Sequence, residues 1–455
     1  MPINYHSTNR HLPSGTSERF RFAEALARGQ APDGGLLMPD QIPTLSPETL
    51  ERLRGKPYAE VAFAVLYPFV EGEIEAERLR ALLYDAYTFD IPVEPLGDQV
   101  LLARLDQGPT ASFKDFAARA MARLMNEFRP PEQQVTVLVA TSGDTGSAVG
   151  EAFKGLDGFR VVILFPEQEV SAVQKHQLES IGGNVVAVSI DGKFDDCQRY
   201  VKAAFTDPDL KALGLTSANS INVGRVLPQV VYYVYLYLKV AAPGETLNFC
   251  IPSGNLGNSL GGEIARRMGL PIGTILIATN RNDALPSFLQ SGAYAKIDPS
   301  RACLSNAMNV GNPSNLARYF DLYGGTVDKD GVVHRQPDLE QMRQNLKGVA
   351  VTDEATRARI RTTYDQYGVV VEPHGAVGLE GLAQVPLPGR TICFETAHPA
   401  KFPEVVEEVL RLSPAPTPAL EAIQHRTGKS VPLPNDYKQL KAFLLAWQAA
   451  DTTAL

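Results

Sequence analysis

Cysteine and tryptophan are scarce in this chain of 455 residues, which has four of the first and one of the second. Cys197, Cys250, Cys303 and Cys393 lie far apart without paired zinc spacing. Neither a disulfide framework nor a metal knuckle is legible in them, and they read as reduced core thiols of a cytoplasmic protein. Basic runs are missing too, which excludes a nucleic-acid footprint. The net charge is -8, so an anionic ligand has to be held by local groups rather than by the global field. The longest apolar run, "VVYYVYLYLKVAA" (230–242), is too short for a bilayer and is expected as a buried helix. The first twenty residues carry no apolar core of a targeting peptide. What remains is an ordinary globular composition, 44% hydrophobic and 21% charged, long enough for two or three domains.

From Val135 onward short apolar runs alternate with helical stretches. "QVTVLVA", "FRVVILF", "NVVAVSI", "LNFCI", "GTILIAT" and "RTICF" read as buried parallel strands. Helices are expected at 147–154, 171–181, 195–205 and 403–412. The fold class is therefore α/β, with parallel sheets covered by helices. Residues 1–95 look different, with helices near 17–27, 47–53 and 76–86, and read as a mostly helical N-terminal unit. Residues 96–134 with 215–412 are expected to form a larger α/β domain, and 135–214 a smaller one. Residues 413–455 give a proline-rich connection and a closing helix. "GTVDKDGVVHRQ" (325–336) reads as a surface hairpin around an Asp-Gly turn.

Lys114 stands in "GPTASFKDFAARAMARLM", where apolar residues recur every three or four positions behind Ser112. Ser112 and Asp115 suggest a variant capping box, which puts Lys114 in the first helical turn. A cation is disfavoured there by the macrodipole, and an amine that must lose its proton to attack is favoured. The alternative is a solvated lysine whose stem covers apolar surface.

Three loops bear on that choice. "IPSGNLGNSLGGEIARRM" (251–268) follows a strand and opens a helix, so its main-chain N–H groups converge on an anion site suited to phosphate. Gly254 and Gly257 let the main chain approach closely. The loop lacks the Gly-Lys-Ser/Thr ending of a nucleotide loop and the glycine spacing of a dinucleotide site. "ATSGDTGSAVG" (140–150) is hydroxyl-rich and suits a carboxylate. "CFETAHPAKF" (393–402) offers Thr396, His398 and Lys401 after the last strand, with the Thr396 hydroxyl at the usual ligand crevice. A lysine nucleophile, a phosphate cradle free of basic residues, a carboxylate loop and a late hydroxyl together describe a site for pyridoxal phosphate.

In order along the chain, "YHSTNR", "DGGLLMP", "GPTASFKDFA", "ATSGDTGSAVG", "LTSANSINVGR", "IPSGNLGN" and "TAHPAKF" resemble the threonine synthase family. That family belongs to the fold-type II, tryptophan-synthase-like group of pyridoxal phosphate enzymes. The resemblance implies that Lys114 forms the Schiff base with the cofactor. It places Ser253, Gly254, Asn255, Leu256, Gly257 and Asn258 around the cofactor phosphate, and Thr396 at the pyridine nitrogen. Thr141, Ser142, Gly143, Asp144 and Thr145 would surround the amino-acid end of the substrate. Asn219, Ser220, Asn222 and Arg225 are candidates for the substrate phosphate. The implied reaction turns O-phospho-L-homoserine and water into L-threonine and phosphate, the last step of threonine biosynthesis, with no metal, nucleic-acid or membrane partner.

Glu395, before Thr396, departs from the small residue common in the family, and strand alternation should send it to the opposite face. Two alternatives stay open at this level. One is another lyase of the fold, such as a serine or threonine dehydratase. The other is a threonine-synthase-like protein that keeps the cofactor with little catalysis.

Overall fold

A computed structural model describes residues 2–449. Two twisted sheets organise it. The larger has six strands in the order Leu346–Ala350, Ile272–Thr279, Leu247–Pro252, Thr391–Glu395, Val100–Arg104 and Val93–Pro95. All neighbours run parallel except the last pair. The smaller has five parallel strands in the order Val431–Pro434, Val185–Asp191, Phe159–Pro166, Val135–Ala140 and Leu215–Thr216. Their continuous apolar runs follow from burial on both faces. The expected hairpin is present, with Thr326–Val327 antiparallel to Val333–Arg335.

The N-terminal unit packs helices Phe22–Arg28, Pro47–Leu53, Tyr58–Val70 and Ala76–Ala86 beside a small antiparallel pair, Tyr5–Ser7 with Leu37–Pro39. The first helix starts at Phe22 rather than near Ser17, because Phe20 exchanges both main-chain hydrogen bonds with Tyr5 and keeps the chain extended. The helix Tyr58–Val70 was not legible in the sequence. It is apolar on most of its surface and contains Pro68, so it shows no clean stripe. The segment 171–181 narrows to Ala172–Glu179, with Ser171 outside it as the cap of a reciprocal capping box with Gln174. Beyond Pro403–Leu410, the single closing helix expected is instead a short helix, Pro418–Gln424, the edge strand Val431–Pro434, and the helix Tyr437–Ala449.

One apolar core runs from the N-terminal helices through the buried helix Pro228–Val240 to Phe249 and Phe394 of the larger sheet. Aromatic contacts set its geometry: Phe116 meets Tyr232 at 5.8 Å, and Tyr232 meets Phe394 edge-on at 5.5 Å. Two ends of the site are thus tied together, since Phe116 lies two residues after Lys114 and Phe394 two before Thr396.

Candidate active site

The lysine helix and the three candidate loops each leave the carboxyl end of a strand of the two main sheets, the edge where ligands bind in open α/β sheets. The helix Lys114–Phe128 follows Val100–Arg104, the hydroxyl-rich loop follows Val135–Ala140, the glycine loop follows Leu247–Pro252, and Thr396 follows Thr391–Glu395.

Lys114 is the first residue of its helix, but the capping box is not formed. Phe113 occupies the cap position, and the Ser112 hydroxyl accepts only the Lys114 N–H at 3.3 Å. Asp115 turns the other way and accepts the N–H and hydroxyl of Thr110, both at 2.8 Å. That choice closes the Gly108–Thr110 turn, where a Cβ on Gly108 would lie 2.4 Å from the Asp115 carboxylate. Ala111 takes a positive φ of 54°. Its carbonyl accepts the His398 N–H, and the Phe113 N–H reaches the Thr396 carbonyl at 2.9 Å. These bonds lock the lysine turn to the loop after the last strand.

Burial drives the Lys114 amine down to about 8. Arg225 pushes the same way, Asp144 opposes it, and Lys401 adds to the lowering. An amine in that state gives up its proton far more readily than an ordinary lysine, so it can act as a nucleophile and then as a base.

The glycine loop is an anion cradle by its main chain. Among the described residues nothing accepts the N–H groups of Gly254, Asn255, Leu256, Gly257 or Asn258. They open the helix Gly257–Arg267, whose positive end adds to them. The side chains hold the loop's shape: Ser253 donates to Asn258 Oδ1 at 2.5 Å, and Asn258 Nδ2 donates to the Pro252 carbonyl at 2.9 Å. Asn255 donates to Ser220 Oγ at 2.6 Å and accepts the Ser314 N–H at 2.6 Å. The positive φ of the turn belongs to Leu256, at 61°, rather than to a glycine.

Gly254 and Gly257 differ. A Cβ on Gly254 would meet the Met308 main chain at 2.7 Å, so a protein neighbour already requires that glycine. A Cβ on Gly257 would point into room bounded at 3.4–3.5 Å by Ser220, Asn315 and Gln229. That room, with five free N–H groups beside it, fits a phosphate.

In the hydroxyl-rich loop Gly143 takes φ 125°, and a Cβ there would strike Gln174 at 2.5 Å. Thr141 is spent within the loop, accepting the N–H groups of Gly143 and Gly146 at 2.9 Å each. The Ser142 and Thr145 side chains are half-buried and take no protein hydrogen bond among the described residues. Asp144 starts the helix Asp144–Phe153 and is paired with the fully buried Lys401 at 2.7 Å. Burial alone would raise the Asp144 carboxyl, but Lys401 and Gln174 hold it below the ordinary range.

The run from Asn219 to Arg225 lies between the cradle and the lysine helix, and its members divide. Asn219 reaches the Ala140 carbonyl at 2.9 Å, and Ser220 faces the cradle through Asn255. Asn222 is turned to the frame: its amide donates to Leu26 and Ser217 carbonyls at 2.9 and 3.0 Å, and its oxygen caps Gly224. Those contacts commit the Asn222 side chain to the frame. Arg225 is different. It is buried, its Nη1 donates to the Ala218 carbonyl, its Nε has no partner among the described residues, and the carboxylate that acts on it through space, Asp115, is committed to Thr110. Burial lowers the guanidinium to about 10. A buried cation with an unmet donor is an open site for an anion.

Thr396 is buried, and among the described residues its hydroxyl takes no protein hydrogen bond. Glu395 points to the start of the helix Pro373–Gln384, where Oε1 accepts the Glu372 N–H at 2.9 Å. Burial and Glu372 raise its carboxyl well above the ordinary range.

The fold and this constellation define the class of fold-type II pyridoxal-phosphate-dependent enzymes, and residues 88–394 match the family model for a pyridoxal-phosphate dependent enzyme. Residues 4–87 match the model of the threonine synthase N terminus, and 375–444 that of the threonine synthase C-terminal region. The chain belongs to the threonine synthase family. The threonine synthase of Pseudomonas aeruginosa is 34% identical over 97% of this chain and 98% of that protein. That of Escherichia coli K12 is 38% identical over 87% of this chain and 89% of its own length. The crystal structure of pyridoxal-phosphate-bound threonine synthase from Brucella melitensis matches with TM-score 0.89 and 35% identity, covering 98% of this chain and 100% of that one.

Lys401, Gln174, Asn315 and Arg318 also shape the site, and nothing in the residue pattern marks out the last three. They act through contacts between segments 30 to more than 250 residues apart.

Proposed function

We propose that this chain converts O-phospho-L-homoserine and water to L-threonine and phosphate. The observation that carries the reading is Arg225, a buried guanidinium that among the described residues has an unmet donor and forms no ion pair, close enough to act on Lys114. A substrate with an anionic side chain satisfies that group, and serine or threonine does not.

In this reading Lys114 Nζ would hold pyridoxal phosphate, the N–H groups from Gly254 to Asn258 would hold its phosphate, and the Thr396 hydroxyl would meet its ring nitrogen. Bound there, the cofactor supplies the electron sink that makes the proton on the substrate's α-carbon removable. Lys114, as a free amine once the substrate is bound, would take the proton from Cα, pass it to the phosphate that leaves Cγ, and so be free to take one from Cβ, which it would return at Cγ. It would then pass on a proton of the water that adds at Cβ. An amine titrating near 8 can both accept and release protons at working pH. Ser142 and Thr145, with free hydroxyls at a helix start, receive the substrate carboxylate. Thr141 and Gly143 shape that loop.

The division into an N-terminal unit and larger and smaller α/β units belongs to this proposal, with Val93–Pro95 going to the larger sheet and Leu215–Thr216 and Val431–Pro434 to the smaller one, and so does a cytoplasmic setting. The four free cysteines, three of them buried, support a reducing compartment. No helix among the described residues is long and apolar enough to cross a membrane.

The test is turnover. Threonine and phosphate should appear in equal amounts from phosphohomoserine, with homoserine a poor substrate. Borohydride reduction and peptide mapping should put the pyridoxyl group on Lys114. Arg225→Ala should lower kcat/KM for phosphohomoserine by roughly two orders of magnitude or more, because a desolvated charge contact is lost, and should change slow serine dehydration far less. Equal losses on both substrates would remove Arg225 from the phosphate site. Serine consumed faster than phosphohomoserine by the unaltered enzyme would overturn the reading.

A further inference from the structure

The mechanism above leaves Lys401 unused, although its side chain is fully buried in the short turn Pro399–Lys401. Its ammonium pairs with Asp144 Oδ1 at 2.7 Å and donates to the Thr110 carbonyl at 2.9 Å. Its own carbonyl accepts the Ser171 hydroxyl at 2.8 Å. Ser171 caps the helix that carries Gln174, and Gln174 Nε2 donates to the same Asp144 oxygen at 2.9 Å. Gln177, on that helix, donates to the Thr110 carbonyl at 3.3 Å. Lys401 therefore ties the loop after Val135–Ala140 and the helix Ala172–Glu179 to the turn that precedes Lys114.

A buried ion pair is a poor means of stabilising a fold, since apolar residues of similar volume serve as well or better. What it does supply is a fixed pair of charges in a region of low dielectric. Both charges act on Lys114. The groups that face that amine are Arg225, Asp144 and Lys401. Around the pair itself stand His374 on the Asp144 side, and Asp115 and His398 on the Lys401 side.

We propose that Lys401 is a positioning residue: with Gln174 it pins Asp144 and Thr110 in place, and the two opposite charges it fixes there bear on Lys114 in opposite directions. Because they oppose each other at Lys114, removing one should move its titration one way and removing the other should move it the opposite way. A merely structural pair gives no such sign reversal.

The inference rests on the reading of Lys114 as the lysine that holds the cofactor, and the experiment separates the two. The full-length chain is stripped of cofactor, and Lys114 acetylation by acetic anhydride is followed against pH by peptide mass. The pH profile of kcat/KM is measured on the cofactor-loaded enzyme alongside. Lys401→Met should raise the Lys114 midpoint by about one pH unit, and Asp144→Asn should lower it by about as much, the size of one nearby charge. The double variant should return toward the unaltered midpoint, and Lys401→Arg should stay near it. Single variants that shift in the same direction, or not at all, overturn the proposal, as does a Lys401→Arg midpoint displaced as far as that of Lys401→Met. If Lys401→Met does not fold, Asp144→Asn decides alone: an acid shift supports the proposal and an unmoved midpoint overturns it. A pyridoxyl group mapped to another lysine in the unaltered chain would instead refute the role of Lys114.

Discussion

Lys114 is held where an ammonium is unwelcome, and that has a cost in stability that can be measured. Its folded value of about 8 lies below the ordinary 10.5, so the folded chain binds this proton less readily than the unfolded chain does. The penalty is complete below pH 8, shrinks between 8 and 10.5, and vanishes above, where both states are neutral. Lys114→Met should therefore raise the Tm of the cofactor-free chain at pH 7, with the gain fading as pH rises through that window. A gain constant with pH would show packing rather than charge to be its cause. Loss of Tm at pH 7 would contradict the burial argument outright.

At the scale of single elements, the turn from Ser253 to Asn258 separates two roles that its glycines share in sequence. Gly254→Val would force a side chain onto the Met308 main chain, 2.7 Å from its Cβ, and should lower Tm with a cost of about 1–3 kcal/mol or more. Gly257→Val has ordinary φ and room for its Cβ, so its Tm without cofactor should change little. Its side chain would instead occupy the space beside the free N–H groups. Pyridoxal phosphate affinity, read by titrating absorbance, should then fall at least tenfold. An unchanged affinity in Gly257→Val would mean that phosphate sits elsewhere.

Across the whole molecule, the N-terminal unit is clamped onto the site through the run from Thr216 to Asn222. Thr216 Oγ1 donates to the Ala27 carbonyl, and Asn222 to that of Leu26. Arg318, fully buried, donates to the carbonyls of Leu37, Ser220 and Ile221 and to Asn315 Oδ1. Asn222→Ala would leave two buried carbonyls short of a donor, at about 1–3 kcal/mol. It should lower Tm while activity per folded molecule falls far less than in Arg225→Ala. An unchanged Tm with a KM raised tenfold or more would restore Asn222 as a substrate ligand.

The sequence by itself determined what is local or periodic. Apolar runs of strand length fixed the parallel sheets, because burial on both faces demands them. A lysine two residues after Ser112 and a glycine-rich turn after "LNFCI" were legible as a nucleophile and an anion site, because strand–turn–helix junctions expose N–H groups wherever they occur. The tertiary structure decided which polar groups are left over. Asn222 and Thr141 looked as available as Arg225 and Ser142, yet the first two are consumed by frame contacts and the second two are not. Asp115 chose Thr110 over Ser112 only once Gly108 brought that turn against it. Lys401 finds Asp144 across 257 residues, a distance in sequence that no spacing rule spans. Hydrogen-bond capacity is local to a residue, but its satisfaction depends on what folding brings beside it.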